Sequence, residues 1–276
     1  MTSVHYEQHD QPAGVPPLAL TGERTLPDVP EENYWFRRHL VVYEWIAARV
    51  GALRVIDMAC GEGYGADVLA RAAQSVVGVD ANPEAHEHAR LRYRRPNLRF
   101  ARELVETFGE PADAVVFLQT IEHLSDPGSA LDHFASLVAG EEGARRPAEP
   151  ASAPATAARA GTVFVSTPNV LTLAPKGESR SGNPWHVHEY RVEEFDRLCR
   201  EHFREVRMYG LFHARKLRAH ELALRLGWDT LHPRVGLTSR FYGWFTPAIS
   251  VSDFAIRPIG QARIEAALDF IAVCRV

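Results

Sequence analysis

Two stretches of this chain carry residue types at spacings that suit chemistry. The first is Asp57-Met58-Ala59-Cys60-Gly61-Glu62-Gly63-Tyr64-Gly65, where an apolar run ends in a set of glycines and a helix-compatible run follows. A strand, tight turn and helix in that order let the main chain bend sharply and let a ligand approach it, with the helix amides and positive dipole end nearby. About twenty residues further on, Val76-Val77-Gly78-Val79 ends in Asp80, and an acid at that place can accept hydrogen bonds from both hydroxyls of a ribose. The second stretch is Gln119-Thr120-Ile121-Glu122-His123, with Asn183-Pro184-Trp185-His186-Val187-His188-Glu189-Tyr190 far downstream. A carboxylate and imidazoles that meet can hold a divalent cation or take a proton from a hydroxyl. Each feature also has a structural reading: a plain glycine loop, an aspartate at a helix start, a Glu-His pair capping the next helix.

The elements that must position these residues read from periodicity. Strands are expected at Arg54–Met58, Ser75–Val79, Leu98–Ala101, Ala114–Leu118, Gly161–Ser166, Glu205–Leu211 and Asp269–Arg275. Helices are expected at Ala66–Ala73, Pro83–Tyr93, Pro127–Val138 and Val192–Phe203, and another runs from the aromatic segment Tyr34-Trp35-Phe36 to about Val50. Strands alternating with helices imply right-handed crossovers and a mostly parallel sheet, which binds ligands at the carboxyl ends of its strands. Residues 1–19, polar and rich in proline, are expected to be disordered or loosely attached. Residues 20–50 are expected to form a lid and helix, with Tyr34 to His39 either docking the helix on the sheet or folding over a ligand. The Ala- and Pro-rich stretch 141–160 reads as a surface insertion that cannot repay its ordering entropy. The aromatic-rich stretch 213–261 reads as a substrate cap over the sheet, on a main domain of 51–276.

Composition sets the outer limits. A chain of 276 residues with 46% apolar content can bury one substantial core. Net charge −4 and a pI near 6.4 leave no basic footprint for bulk nucleic-acid binding. Cys60, Cys199 and Cys274 have no metal or disulfide spacing, which suits a reducing, cytoplasmic setting. The amino-terminal stretch has no signal-peptide pattern, and no segment approaches bilayer length, so no membrane partner is expected.

Turn and acid alone leave nicotinamide, flavin and S-adenosylmethionine open as ligands. The wider pattern resembles class I S-adenosylmethionine-dependent methyltransferases. It runs from Asp57-x-x-x-Gly61-x-Gly63 through Val79-Asp80, Arg102-Glu103-Leu104 and Phe117 to Leu124, ending at Phe164-Val165-Ser166-Thr167-Pro168-Asn169. The resemblance covers roughly residues 35–275 and implies a Rossmann-like α/β fold whose seven-stranded sheet has an antiparallel last strand. It implies S-adenosyl-L-methionine as methyl donor, held by Asp57, Gly61, Gly63, Asp80 and Gln119, with Glu103 and Leu104 flanking adenine. Glu122, His123 and His186 or His188, with His186 preferred, are similar to the Glu-x-x-Glu-His plus distant His pattern of magnesium-dependent O-methyltransferases. Gln119 stands where those families have their first glutamate, which removes a charge from any Mg2+ site. Residues 22–39 resemble the front of actinobacterial methyltransferases of sugars. The resemblance therefore implies O-methylation of a saccharide or glycosylated metabolite, with Glu122, His123 and His186 as candidate catalytic and metal-ligating residues. A phenolic or quinone-type acceptor and an inactive cofactor-binding protein are the alternatives.

Overall fold

A computed structural model describes residues 8, 11–21, 24–139, 161–175, 177–234, 236–260 and 263–276. These residues are built on an eight-stranded sheet in the order β3-β2-β1-β4-β5-β8-β6-β7. Strands β1 (Arg54–Met58), β2 (Ser75–Val79), β3 (Leu98–Ala101) and β4 (Ala114–Leu118) take the expected bounds and, with β5 (Thr162–Pro168), pair in parallel. Strand β8 (Asp269–Arg275) enters antiparallel between β5 and β6 (Glu205–His213). The Rossmann-like sheet with an antiparallel last strand is therefore present, with one strand more than the seven expected. Strand β7 (Phe254–Pro258) pairs antiparallel along β6 at the sheet edge. It is hard to read from sequence because it is short, ends in proline and lies among aromatics; Pro258 is tolerated because the strand is an edge.

Strand β4 is apolar throughout because both faces of the sheet are covered there. Every residue of β4 is buried, and the strand period of two sends alternate side chains to opposite layers. Val115 and Phe117 join Phe134 of α4 (Pro127–Val138) and Phe195 of α6 (Val192–His202). Ala114, Val116 and Leu118 face the layer of α1 (Asn33–Ala47) and α2 (Tyr64–Ala70). Helix α3 (Pro83–Arg92) starts from Asn82, whose side chain accepts from the Glu84 and Ala85 amides, and α4 starts from Asp126, which accepts from Ser129 N. Proline at the first helical position follows each cap, so both helices begin at fixed points just beyond strand ends. The remaining helices are α5 (Val170–Leu173), α7 (Arg215–Arg225), α8 (Trp228–Arg234) and α9 (Thr238–Phe245).

One expectation about the periphery is corrected. Residues 11–19, expected to be loose, are packed: Leu18 is buried with Leu26, Val29 and Ala85, and Pro16 O lies 2.8 Å from His88 Nδ1. Val15 and Leu18 are enough to anchor a segment whose composition reads as solvated. The insertion expected at 141–160 lies outside the described residues. Cys60, Cys199 and Cys274 are buried and free.

Candidate functional site

The site grows from the place where the sheet order reverses. Strand β1 lies between β2 and β4, so the chains leaving β1 and β4 depart to opposite sides and open a crevice at their carboxyl ends. Both departures need left-handed backbone: Ala59, Gly61 and Gly63 have φ of 56°, 55° and 97°, and Gln119 has 52°. Non-glycine residues in that region mark a locally over-determined backbone. Asp80 ties the turn to β2, its carboxylate accepting from Gly61 N at 2.8 Å and Asn82 N at 2.9 Å. Burial pushes the Asp80 carboxyl up against the opposing pull of those two amides.

A cavity of about 340 Å³ fills this crevice, with Gly61, Asp80 and Asn82 at one end and Gln119, Thr120 and His123 at the other. The sequence-predicted residues divide here. Gly61 faces open space, since a Cβ there would meet only Arg24 Cβ at 3.9 Å. Gly63 does something other than expected: a Cβ would fall 2.8 Å from Ala89 Cβ and 3.0 Å from the Phe100 ring, so this glycine lets α2 close on α3 and β3. Asp57 is fully buried behind the turn, accepting from Tyr43 OH at 3.2 Å while its Oδ2 has no partner. Burial, with Asp80 nearby, pushes its carboxyl up to about 8. Glu103 and Leu104, expected to flank a base, lie on the exposed loop after β3 and are not part of the cavity wall.

A second cavity of about 520 Å³ shares Arg24, Thr25, His39, Gln119 and His123 with the first and continues over Trp35, Arg38, Glu122 and His186. The two spaces meet at the carboxyl end of β4. Gln119 is held there by its side-chain amide, which donates to Ser166 Oγ of β5 at 3.0 Å. Next comes the 3-10 turn Ile121–His123, and the loop after β5 is pinned to it: Val187 N and His188 N both donate to Glu122 O, at 2.9 and 3.1 Å.

That pinning assembles three side chains. One ligand atom each from Glu122, His123 and His186 lies within 4.8 Å of the others. Glu122 is buried, takes a hydrogen bond from Thr167 Oγ1 at 3.2 Å, and is pushed up to about 8 by burial. His123 Nδ1 lies 2.9 Å from Trp185 O, and since a carbonyl can only accept, that nitrogen carries the proton and Nε2 is the acceptor. His186 Nδ1 lies 2.7 Å from Glu189 Oε1, and Asn183 Nδ2 donates to His186 Nε2 at 3.0 Å. The Asn183 amide orientation follows from its Oδ1, which accepts from Trp185 N. His188 stands apart, half exposed and stacked edge-on against Tyr190.

The wall opposite the strands comes from the front of the chain. Trp35, Arg38 and His39 occupy one face of α1 at spacings of three and four, a signal present in the sequence but masked by the neighbouring Tyr34, Phe36 and Arg37. Burial pushes His39 down to about 4, so it presents a neutral imidazole. Arg38 is fully buried and forms a two-pronged pair with Asp269 at the start of β8, with a further bond to Leu268 O. The aromatic residues of 213–261, expected to cap the site, line neither cavity. Apart from the exposed Trp244, they spend their surface on one another and on the other side of α1, where Tyr34 OH meets His213 Nε2 at 2.9 Å.

Comparison with known proteins gives the chain its family. A family model described as a methyltransferase domain matches residues 23–144. A probable S-adenosylmethionine-dependent methyltransferase of Mycobacterium tuberculosis is 35% identical over 265 residues, covering 93% of this chain and 89% of the relative. A ubiquinone biosynthesis O-methyltransferase of Alkalilimnicola ehrlichii is 33% identical over 104 residues, covering 34% of this chain and 42% of the relative. The crystal structure of a possible histamine N-methyltransferase from Thermotoga maritima superposes with a TM-score of 0.53 at 15% identity, over 89% of this chain and 94% of that one, a likeness of fold.

Proposed function

Given that the chain belongs to the S-adenosylmethionine-dependent methyltransferases, we propose that it methylates a hydroxyl of a saccharide or glycosylated metabolite, with a divalent cation held by Glu122, His123 and His186. The observation that carries this reading is the meeting of the two cavities at Gln119 and His123, with the three candidate ligands on the second cavity's side. The first cavity fits the donor. Asp80 offers carboxylate oxygens already oriented by two amides, and Gly61 faces open space beside them.

Transfer from sulfur to a hydroxyl is an in-line displacement: the S–C bond breaks as the O–C bond forms, and the hydroxyl proton must leave. An alcohol is a weak nucleophile until that proton is removed, and an imidazole base supplies about 10²- to 10⁴-fold. The tautomer fixed by Trp185 O gives His123 an Nε2 able to accept it. A cation bound beside it would lower the hydroxyl's pKa and orient its oxygen. Two imidazoles and one carboxylate suit manganese, iron or zinc by donor type, whereas magnesium would rely on water and acceptor oxygens to complete its shell. The second cavity suits a sugar: Trp35 offers a flat apolar wall, and Glu32, Ser181 and Asn183 offer polar groups around it. The same indole would also stack on a phenolic ring, and the partial likeness to ubiquinone biosynthesis O-methyltransferases favours that as the second reading.

The test is methyl transfer from labelled donor to panels of oligosaccharides and phenols, with and without chelator. The proposal expects hydroxyl methylation of a sugar that falls when EDTA is added and returns with manganese or magnesium. Turnover untouched by chelator removes the cation, and turnover confined to phenols selects the second reading.

A further inference from the structure

Helices α7, α8 and α9 form a unit with an aromatic inner face. The Phe241 ring lies 5.2 Å from Trp228, 5.9 Å from His220 and 5.2 Å from Phe245, and His232 Nδ1 lies 2.8 Å from Thr238 Oγ1. The outer face is left with large apolar side chains. Leu226 is 81% exposed and Trp244 70%, Leu222 and Leu231 are more than half exposed, and Leu237 is exposed as well. Interleaved with these are Arg215, Arg218, Arg225, Arg234 and Arg240, all exposed and without an ion pair among the described residues. On α7 the two kinds share one stripe, residues 215, 218, 222, 225 and 226 following at helical spacing. From 215 to 240 the sequence holds six basic residues and two acidic ones, Glu221 and Asp229, in a chain whose net charge is −4, and Lys216 of the six is paired with Asp253.

We propose that this face docks on an anionic membrane surface. Guanidinium groups would pair with lipid phosphates while the leucines and Trp244 enter the boundary between headgroups and acyl chains. The contact would be peripheral, since no helix among the described residues is long and apolar enough to cross a membrane. A second copy fits poorly, because a self-complementary interface would set arginines against arginines. The location gives the contact a purpose. Strands β5 and β6 are both antiparallel to β8, so α7 leaves β6 at the sheet edge that holds the cavities. Asn33 Nδ2 then ties the end of α9 to α1 by donating to Thr246 O and Ile249 O, two residues from Trp35 in the second cavity. A membrane-held acceptor would be presented beside that cavity.

The experiment is sedimentation of the full chain with vesicles of phosphatidylcholine alone or mixed with phosphatidylglycerol. Binding is expected to the mixed vesicles only, weakening as salt rises. The pairs Leu226→Glu/Trp244→Glu and Arg218→Glu/Arg225→Glu should each lower it by about tenfold or more, with thermal midpoint and donor affinity unchanged. Absence of binding to the mixed vesicles overturns the proposal, as does equal binding by either variant. So does a concentration-dependent dimer that Leu226→Glu abolishes while vesicles remain unbound, which would make the face a contact between copies.

Discussion

His186 Nδ1 lies 2.7 Å from Glu189 Oε1, and this contact fixes the ring's tautomer with the proton on Nδ1. Glu189 is held as an anion, its carboxyl kept below the usual range by Ser181 and His186 in spite of burial. Ser181 N donates to it at 2.8 Å, and the Ser181 hydroxyl donates as well. The carboxylate accepts a hydrogen bond from Nδ1, so Nε2 carries the lone pair that a bound cation would use and that now accepts from the Asn183 amide.

From this follows the behaviour of Glu189→Ala. Loss of a carboxylate behind a ligating histidine typically weakens metal binding by about 10- to 100-fold. Calorimetric titration of manganese into the protein should show that loss, with Glu189→Gln intermediate. Unchanged affinity in both variants would mean that His186 is oriented by something else.

The two turn glycines should separate by phenotype. Gly63→Ala combines φ of 97° with a Cβ 2.8 Å from Ala89, which costs about 2–5 kcal/mol of stability. Gly61→Ala carries only the left-handed backbone cost, about 1–2 kcal/mol, because its Cβ meets open space. That space opens on the first cavity, where the proposal seats the donor, so donor affinity should suffer more than the melting temperature. Urea denaturation and donor titration of both variants distinguish them; the reverse order of stability loss would refute the assignment.

The pattern of legibility follows from distance along the chain. The turn 57–65, Asp80 and the bounds of β1 to β4 could be read because apolar runs, glycines and caps are local signals. Gly63 was readable as a required glycine but not as one required by packing, since its partners Ala89 and Phe100 arrive from α3 and β3. Trp35, Arg38 and His39 line the cavities because Arg38 finds Asp269, 231 residues away, and nothing local to either residue announces the pair. The aromatics of 213–261 have the right composition for a cap, but composition does not say which way a helix turns; all but the exposed Trp244 face α1 and each other instead.

Asp57 makes stability depend on pH. Its folded pKa, about 8, stands above its unfolded value near 3.8, so the folded state holds the proton more tightly. Its favourable contribution is therefore complete below about pH 4 and is lost as pH rises through about 8. Thermal midpoints of the donor-free protein should fall over that window, and Asp57→Asn should flatten the fall. An unchanged slope in the variant would place the buried charge elsewhere.

Arg38 and Asp269 should behave as a buried pair whose halves cannot stand alone. Arg38→Met leaves the Asp269 carboxylate buried without its cation and is expected to cost about 3–5 kcal/mol in urea unfolding. Arg38→Lys should recover only part of this, because an ammonium cannot reproduce the two-pronged contact. Full recovery by lysine would show that charge alone matters.

The central claim, that Glu122, His123 and His186 form one cation site beside the donor, is tested most directly by anomalous diffraction from crystals grown with demethylated donor and manganese. A single manganese peak about 2.0–2.6 Å from the Glu122 carboxylate and from an imidazole nitrogen of both His123 and His186 is the predicted result. Donor density in the first cavity with no manganese peak between these three side chains would contradict it.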